Sequence, residues 1–313
     1  MSYKKYKKIY RYQKFSIWTI ELLVHDHLYF ADPVSFNDPF DCQPVVESDS
    51  DRDTLRLLLI ELLSRRIEAE VAASLRSAQL QGDNVSDHAK NLGAQAAQSK
   101  LQDIAYHATN PDYECGIYEA ECSLLTSEIH REVVKRYDRG VCCFSTTFQN
   151  PLLWSHYGDQ HRGFCVGYNL DREPVPILRK VEYGGNRKVK TSLISNALLN
   201  NDQAAQELLD HDVLLRKASP WRYECEWRLF GNRGVQDSVL ALKDVTFGLR
   251  CPEAIRYSVI AALEARDSKV EFYETFEVHG SFKLKRRPVN AGEICAFLPH
   301  VAKSGIEMFG PLG

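Results

Sequence analysis

Apolar positions along the chain alternate in some stretches and recur with a helical period in others, and these stretches predict its elements. Residues 8 to 12, Lys-Ile-Tyr-Arg-Tyr, are rich in aromatic and β-branched side chains and predict a first strand. Ser16 then stands as the N-cap of a short helix carrying Ile17, Ile20, Leu23 and Val24 on one side. His25-Asp26-His27 turns the chain into a second strand, Leu28-Tyr29-Phe30. Two prolines bracket Asn37 and Asp38 in the following stretch, which predicts a structured loop over 33–41. In that loop Asn37 and Asp38 are expected to bond nearby backbone amides, with a place at the mouth of a cleft as the functional alternative.

From Asp53 to Ala108 the pattern turns helical, with leucines at 55, 58, 59, 62 and 63, an alanine- and glutamine-rich continuation and a break at Gly82-Asp83-Asn84. Strand character returns at 141–144. A short helix is expected over Trp154–His161, strands over 163–168 and 178–183, and a second helical segment over 192–217. A strand over 223–228 follows, then a strand over 243–249, a helix over 252–265 begun by Pro252, and closing strands over 270–278 and 282–286. The strands carry the chemistry-bearing residues and the helices fill the insertions, so the expected fold class is α+β. On this reading residues 1–313 form a single domain, with helical insertions at 53–108 and 192–217.

Composition narrows the setting. With 313 residues, 44% apolar and 26% charged, the chain has the make-up of a globular protein. Its formal net charge of −3 argues against a grip on nucleic acid by the whole surface. One local exception interleaves Lys4, Lys5, Lys7, Lys8 and Arg11 with Tyr3, Tyr6, Tyr10 and Tyr12. Such a run can stack bases beside phosphate contacts, but a solvated strand edge bearing lysines is the more ordinary reading. None of the nine cysteines falls in a Cys-x-x-Cys pair, and Cys142 and Cys143 sit in an apolar strand, so neither a disulfide framework nor a zinc site is expected. No run approaches the roughly 18 apolar residues of a membrane span, and the lysine-rich N-terminal stretch lacks a following apolar core. A reducing, cytoplasmic setting without a membrane partner is the expectation.

Candidate chemistry gathers in a few places. Glu224 and Glu226 lie two apart in a predicted strand, which places both carboxylates on one face. Such a pair either meets nearby arginines, here Arg222 or Arg228, or serves chemistry. Arg11 is a fixed cation on the first strand, able to grip a phosphate or ribose through two donors. Ser145, Thr146 and Thr147 supply adjacent hydroxyls at a strand end. His156 and His161 lie five apart with Asp159 between them, which misses the i, i+4 spacing of two ligands on one helical face. They fix a loop, or contact a phosphate or acceptor, while Trp154 or Tyr157 forms a stacking wall for a flat ring. A metal site joining them to Asp38 or Asp41 is the minor alternative.

Taken in chain order, Tyr-Arg on the first strand, Phe-Ser-Thr-Thr on a middle one and Glu-x-Glu before Trp-Arg-Leu resemble the series of the ADP-ribosyltransferase superfamily. Leu28-Tyr29-Phe30-Ala31-Asp32-Pro33-Val34-Ser35 is similar to a stretch of poly(ADP-ribose) polymerases. Three longer motifs look like the signature of a widespread bacterial family of uncharacterised domains. They are Phe36-Asn37-Asp38-Pro39-Phe40-Asp41, Leu153-Trp154-Ser155-His156-Tyr157-Gly158 with His161-Arg162-Gly163-Phe164-Cys165, and Glu224-Cys225-Glu226-Trp227-Arg228.

The superfamily resemblance implies a split β-sheet core that binds NAD in a cleft between two sheets and breaks the bond from nicotinamide to ribose. It implies that Glu226 steadies the cationic ribose and that Glu224 orients or deprotonates the acceptor. Arg11, with Tyr12, Ser145, Thr146, Trp154, Tyr157, His156 and His161, is then expected to hold or brace the NAD, and no metal is required. The expected activity is mono-ADP-ribosyl transfer to an intracellular protein or nucleic acid, in a toxin or phage-defence role with an antitoxin or immunity partner. Two other readings stay open: a non-catalytic module that senses a nucleotide or partner, and a metal-dependent hydrolase or nuclease centred on His156 and His161. The transferase reading requires Arg11, Ser145 and Glu226 to line one cleft.

Overall fold

In the computed structural model, which describes residues 8–79, 83–137, 139–297 and 301–310, the first aromatic run forms β1 (Lys8–Gln13). Tyr3, Lys4, Lys5, Tyr6, Lys7 and Gly82 lie outside the described residues. The chain continues through α1 (Ile17–Val24), β2 (His27–Phe30), β3 (Val45–Glu47), α2 (Arg52–Ser77), α3 (Asp83–His107) and α4 (Ile117–Arg136). Next come β4 (Gly140–Ser145), α5 (Pro151–His156), β5 (Phe164–Asn169), β6 (Arg179–Lys180), β7 (Glu182–Tyr183), β8 (Lys188–Lys190), α6 (Thr191–Leu198) and α7 (Gln203–Leu214). The remainder is β9 (Arg216–Lys217), β10 (Glu226–Gly231), β11 (Gly234–Asp237), β12 (Ala241–Phe247), α8 (Glu253–Glu264), β13 (Glu271–Glu277), β14 (Leu284–Pro288), α9 (Ala291–Phe297) and α10 (Gly305–Phe309). The class is α+β, and the chain divides into two compact units: Met1–Ala31, Gly140–Val181 and Pro220–Gly313 in the first, Asp32–Arg139 and Glu182–Ser219 in the second.

The first unit is built on one eight-stranded sheet of order β14-β13-β12-β5-β1-β4-β10-β6, with a β11-β2 ribbon beside it. Hydrogen bonds join these strands continuously, where the superfamily resemblance implies two sheets. β1 lies between β5 and β4 and pairs antiparallel with both, so the expected solvated edge bearing lysines is a central strand instead. Its alternation explains why. Ile9 joins a large apolar core with Cys142, Phe144, Val166, Tyr168, Leu229 and Phe247, whereas Tyr10 and Tyr12 pack on the other face with Leu153, Trp154 and Cys165. Helices α1 and α8 cover the apolar face, contributing Leu23, Val259, Ile260 and Leu263 to that core. Ser16 caps α1 as expected, its Oγ accepting from Thr19 N at 3.1 Å. The buried stripe, however, is Thr19, Leu22 and Leu23, with Ile17 86% and Val24 45% exposed, because contact with β2 and α8 selects a stripe rotated from the most apolar one.

The second unit is mainly helical, with β3 paired to β8 and β7 to β9 in two short parallel ribbons. α2 packs on α3 and α4; Leu55, Leu58, Leu59, Leu62 and Leu63 of α2 are buried, as are Ala89 and Ala97 of α3 and Leu125, Ile129 and Val133 of α4. Gly93 permits the close approach of α3, since a Cβ there would lie 2.7 Å from the Ser64 carbonyl oxygen. α4 has no counterpart in the expected elements because two glutamates interrupt its apolar stripe. Glu121 is buried against Arg52 and Arg56, and Glu132 against Arg66 and Lys135. The expected second insertion, 192–217, is two helices and a strand: Asp202 caps α7 between them, and β9 ends the segment. In the loop over 33–41, Asp32 Oδ1 accepts from Val34 N at 2.9 Å, and Asp38 Oδ1 from Phe40 N at 2.9 Å. Asp41 forms a buried ion pair with Lys217 at 3.3 Å. Asp38 and Asp41 therefore both take up loop architecture within this unit.

Candidate functional site

One line of residues crosses the polar face of the first unit's sheet. Asp244 of β12 is the register partner of Gly167, Gly167 of Tyr10, Tyr10 of Ser145, and Ser145 of Glu226. All five occupy one row, with about 4.8 Å between adjacent strands. At one end Asp244 is fully buried, paired with Lys8 and with Arg286, whose Nη1 is 2.7 Å away. Gly167 makes room for it: a Cβ there would lie 2.5 Å from Asp244 Oδ1. The Arg286 guanidinium lies over Tyr273 at 4.0 Å and Phe148 at 4.5 Å, so this end is a closed structural network.

The other end holds the two glutamates, and it corrects the expected strand over 223–228. Residues 219–224 form a short 3-10 turn, Cys225 adopts a left-handed φ of +48°, and β10 begins only at Glu226. Glu224 and Glu226 are therefore not alternate residues of one strand; the turn brings Glu224 in separately. Both are nonetheless buried, each 3% exposed. Tyr157 Oη donates to Glu224 Oε1 at 2.7 Å, and Ser145 Oγ donates to the Glu224 backbone carbonyl at 2.6 Å. Glu226 accepts from Arg228 Nε at 2.7 Å and from Arg228 Nη2 at 3.2 Å, using both carboxylate oxygens. Arg228 lies two residues on in β10, hence on the same face, and is completely buried. Of the two arginines that sequence reasoning offers as partners, Arg228 is thus the one held by Glu226.

The remaining expected site residues fall in different places. Arg11 is on the opposite face from Ser145 and Glu226, because it alternates with Tyr10 and Tyr12. Its Nη1 contacts Cys142 Sγ at 2.7 Å and its Nη2 donates to the Tyr29 carbonyl at 3.2 Å. The condition that Arg11 share a cleft with the other two is not met. Burial pushes the Cys142 thiol up, and the neighbouring Arg11 charge partly opposes it. Tyr12 is on the polar face but buried, donating to the Thr147 carbonyl at 2.9 Å, and burial pushes its phenol up. Thr146 is half-buried just beyond Ser145.

Trp154 cannot be a stacking wall for a ligand. It is fully buried, donates Nε1 to the Phe148 carbonyl at 2.7 Å and meets Tyr12 edge-on. The helix expected over Trp154–His161 is α5, which Asn150 caps and which stops at His156. Asp159, Gln160 and His161 then take φ values of 49°, 53° and 69°, a left-handed run that turns the chain tightly into β5. His161 stacks on Trp154 at 5.9 Å with its Nδ1 buried and without a hydrogen-bond partner, and burial together with Arg250 holds its pKa below the usual value. His156 is exposed and belongs to a ring cluster with Tyr157, Trp221 and Tyr223, at centroid distances of 6.2 to 6.4 Å. Among the described residues no group of three or more His, Cys, Asp or Glu is placed to hold a metal ion.

Tyr10, Trp221 and Tyr223 belong to this arrangement but not to the expected site residues, and Arg228 was expected only as a charge partner of the glutamates. Tyr10 was legible in principle, since it shares the alternation of Tyr12. Trp221 and Tyr223 reach the cluster only through the 3-10 turn, which no periodic pattern announces.

Residues 153–229 match a family described as Protein of unknown function (DUF2971). The match begins within α5 and takes in the left-handed turn, β5 and most of β10, and so contains both glutamates, Arg228, Tyr157 and the ring cluster. This supports likeness to an uncharacterised domain family. No curated protein and no solved structure matches the chain.

Proposed function

We propose that the chain is an NAD-dependent mono-ADP-ribosyltransferase whose working face is the Ser145–Glu226 end of the sheet; Arg11 lies on the opposite face and fails the one-cleft condition, so the reading rests on Ser145 and the two glutamates alone. One observation carries this reading: the strands bearing the Tyr-Arg, Ser-Thr-Thr and Glu-x-Glu segments, far apart in the chain, are consecutive neighbours β1-β4-β10, with Ser145 opposite Glu226. In the proposed reaction the bond from nicotinamide nitrogen to ribose breaks, the electron pair leaves with nicotinamide, and an acceptor nucleophile bonds to the ribose carbon and loses a proton. Glu226 faces the cationic ribose, and Glu224 takes the acceptor proton, its oxygen held by Tyr157. Ser145 ties the Glu224 turn to β4 and so fixes the spacing of the two carboxylates. The exposed His156 and the half-buried Trp221 and Tyr223 supply flat surface for a nicotinamide or adenine ring. Arg11 is not part of this set, and the β1 residues that share the face are Tyr10 and Tyr12.

A second reading, a non-catalytic module that senses a nucleotide, is favoured by the Arg228 fork. A buried guanidinium on both oxygens of Glu226 offsets the charge that would stabilise a ribosyl cation. The two readings separate on NAD binding and nicotinamide release, measured with and without cell lysate or nucleic acid, for the unmodified chain, Glu226→Gln and Glu224→Gln. Transfer that both substitutions abolish, with the fold intact by circular dichroism, supports the transferase. Binding without nicotinamide release in any form supports the module. Absence of NAD binding overturns the transferase and any module that senses NAD.

A further inference from the structure

We infer that the outer edge of β11, in the first unit, pairs antiparallel with the same edge of a second copy of this chain. β11 and β2 form a ribbon of their own, in the register Gly234 to Phe30, Val235 to Tyr29, Gln236 to Leu28 and Asp237 to His27. Alternation gives the ribbon two faces: Leu28 and Phe30 enter the apolar core, so His27, Tyr29, Val235 and Asp237 look outward. β2 lies on one side of β11, and on the other side no strand pairs with it among the described residues. The edge is open as well as unpaired. A Cβ on Gly234 would meet nothing within 4 Å, and the Asp237 side chain, although 3.2 Å from His27 Nε2, is 99% exposed.

The charges along this edge identify its occupant. Edges that must stay single carry like charges, prolines or bulges that repel or block another strand. Here the sequence Arg233-Gly234-Val235-Gln236-Asp237 places opposite charges symmetrically about Val235. Set antiparallel to itself, with Val235 facing Val235 of the second copy, it brings Arg233 of each chain opposite Asp237 of the other, about 5 Å apart between backbones. A parallel copy would set like charge against like. The same segment serves both chains, so the contact closes as a twofold dimer. It also joins two apolar surfaces. Trp18 meets Tyr29 edge-on at 6.3 Å, and Tyr29 is the register partner of Val235, so the row Trp18, Tyr29, Val235 continues into its own counterpart on the second copy. The three side chains are 38% to 48% exposed in the single chain. Charged positions flank this apolar row on both sides, the arrangement of an interface with an apolar centre and a polar rim. A strand of four residues contributes few backbone hydrogen bonds, so the dimer is weak and reversible.

The test is sedimentation velocity on the full chain, over a concentration series that spans the micromolar range at low salt. Variants are Arg233→Asp, Asp237→Arg, the two together, and Val235→Lys. Arg233, Val235 and Asp237 are exposed, so all variants are expected to keep the fold, checked by circular dichroism. The unmodified chain is expected to pass from monomer to dimer. Each single charge reversal sets like charges opposite each other and is expected to weaken the dimer at least tenfold. The double reversal restores the facing pairs and is expected to recover the unmodified affinity to within about threefold. An equimolar mixture of the two single variants is expected to dimerise where neither does alone, because every facing pair is then opposite in sign. Val235→Lys, which puts two cations at the centre and leaves Arg233 and Asp237 untouched, is expected to give a monomer. A monomer at every concentration for the unmodified chain overturns the proposal. So does a dimer that the single reversals leave unchanged, which would use another surface, and so does failure of both the double reversal and the mixture to recover association in folded protein.

Discussion

Replacing Glu226 by Gln removes one charge from a fully buried pair and leaves Arg228 in place. The perturbation is close to isosteric, so its cost measures electrostatics more than packing. Two unit charges about 4 Å apart interact by about 4 kcal/mol at an effective dielectric of about 20. Removing one partner of a buried ion pair costs about 3–5 kcal/mol, because the remaining ion keeps its desolvation penalty. Arg228 has no surface exposure to relieve that penalty. The glutamine oxygen still accepts the Nε–H, so the lower end, about 3 kcal/mol, is expected. All four tryptophans, Trp18, Trp154, Trp221 and Trp227, lie in the first unit, so urea unfolding followed by tryptophan fluorescence reports this unit's transition. Adding Arg228→Met in the Glu226→Gln background removes the second buried charge as well and is expected to restore part of the loss. A Glu226→Gln cost below about 1 kcal/mol, or a double variant additive to within about 0.5 kcal/mol, refutes the reasoning. The same number governs the functional assay, since a loss of activity in Glu226→Gln is informative only at temperatures where the variant remains folded.

Three further outcomes follow from other parts of the first unit. Gly167→Ala forces a Cβ to within 2.5 Å of Asp244 Oδ1, which Lys8 and Arg286 hold in place, so a loss of about 1–3 kcal/mol is expected; an unchanged Tm would refute the close approach. Arg11→Gln is expected to lower stability without altering NAD affinity or turnover per folded molecule, because Arg11 faces away from Ser145 and Glu226; a tenfold change in NAD affinity with the fold intact would contradict that placement. His161 is held below its unfolded pKa, so the unfolded chain binds more protons between the two values. Its contribution to stability is complete above about pH 6.5 and is lost as pH falls through the folded pKa. His130, lowered by burial and by Arg131, adds a slope of the same sign. His161→Phe keeps a ring on Trp154 and is expected to flatten the decline of stability below pH 6.5, and a slope equal to that of the unmodified chain would refute the assignment.

Local pattern was a good guide wherever one neighbour sufficed to set the backbone. The strands at β1, β4, β5 and β12, the Ser16 cap and the leucine stripe of α2 all follow from alternation, capping chemistry or a 3.6-residue period, each readable within a few residues. The pattern failed where long-range partners overrode it. α4 tolerates glutamates on its buried stripe because arginines of α2 neutralise them, and α1 buries a different stripe because β2 and α8 select it.

Residue types at the candidate site were legible: two glutamates, a serine, a tyrosine and a nearby arginine within the segments singled out. Their grouping was not. Period-two spacing makes Glu224 and Glu226 look like strand neighbours, yet a left-handed Cys225 separates them, and Tyr157 and Ser145 bring Glu224 back. Which strands adjoin, and hence that Ser145 faces Glu226 while Arg11 looks away, depends on hydrogen bonds between distant segments. A sequence encodes those pairings only jointly, through the burial that each permits. Alternation established that Arg11 must face away from Tyr10 and Tyr12, whereas sheet order and register established which of the two faces carries the carboxylates.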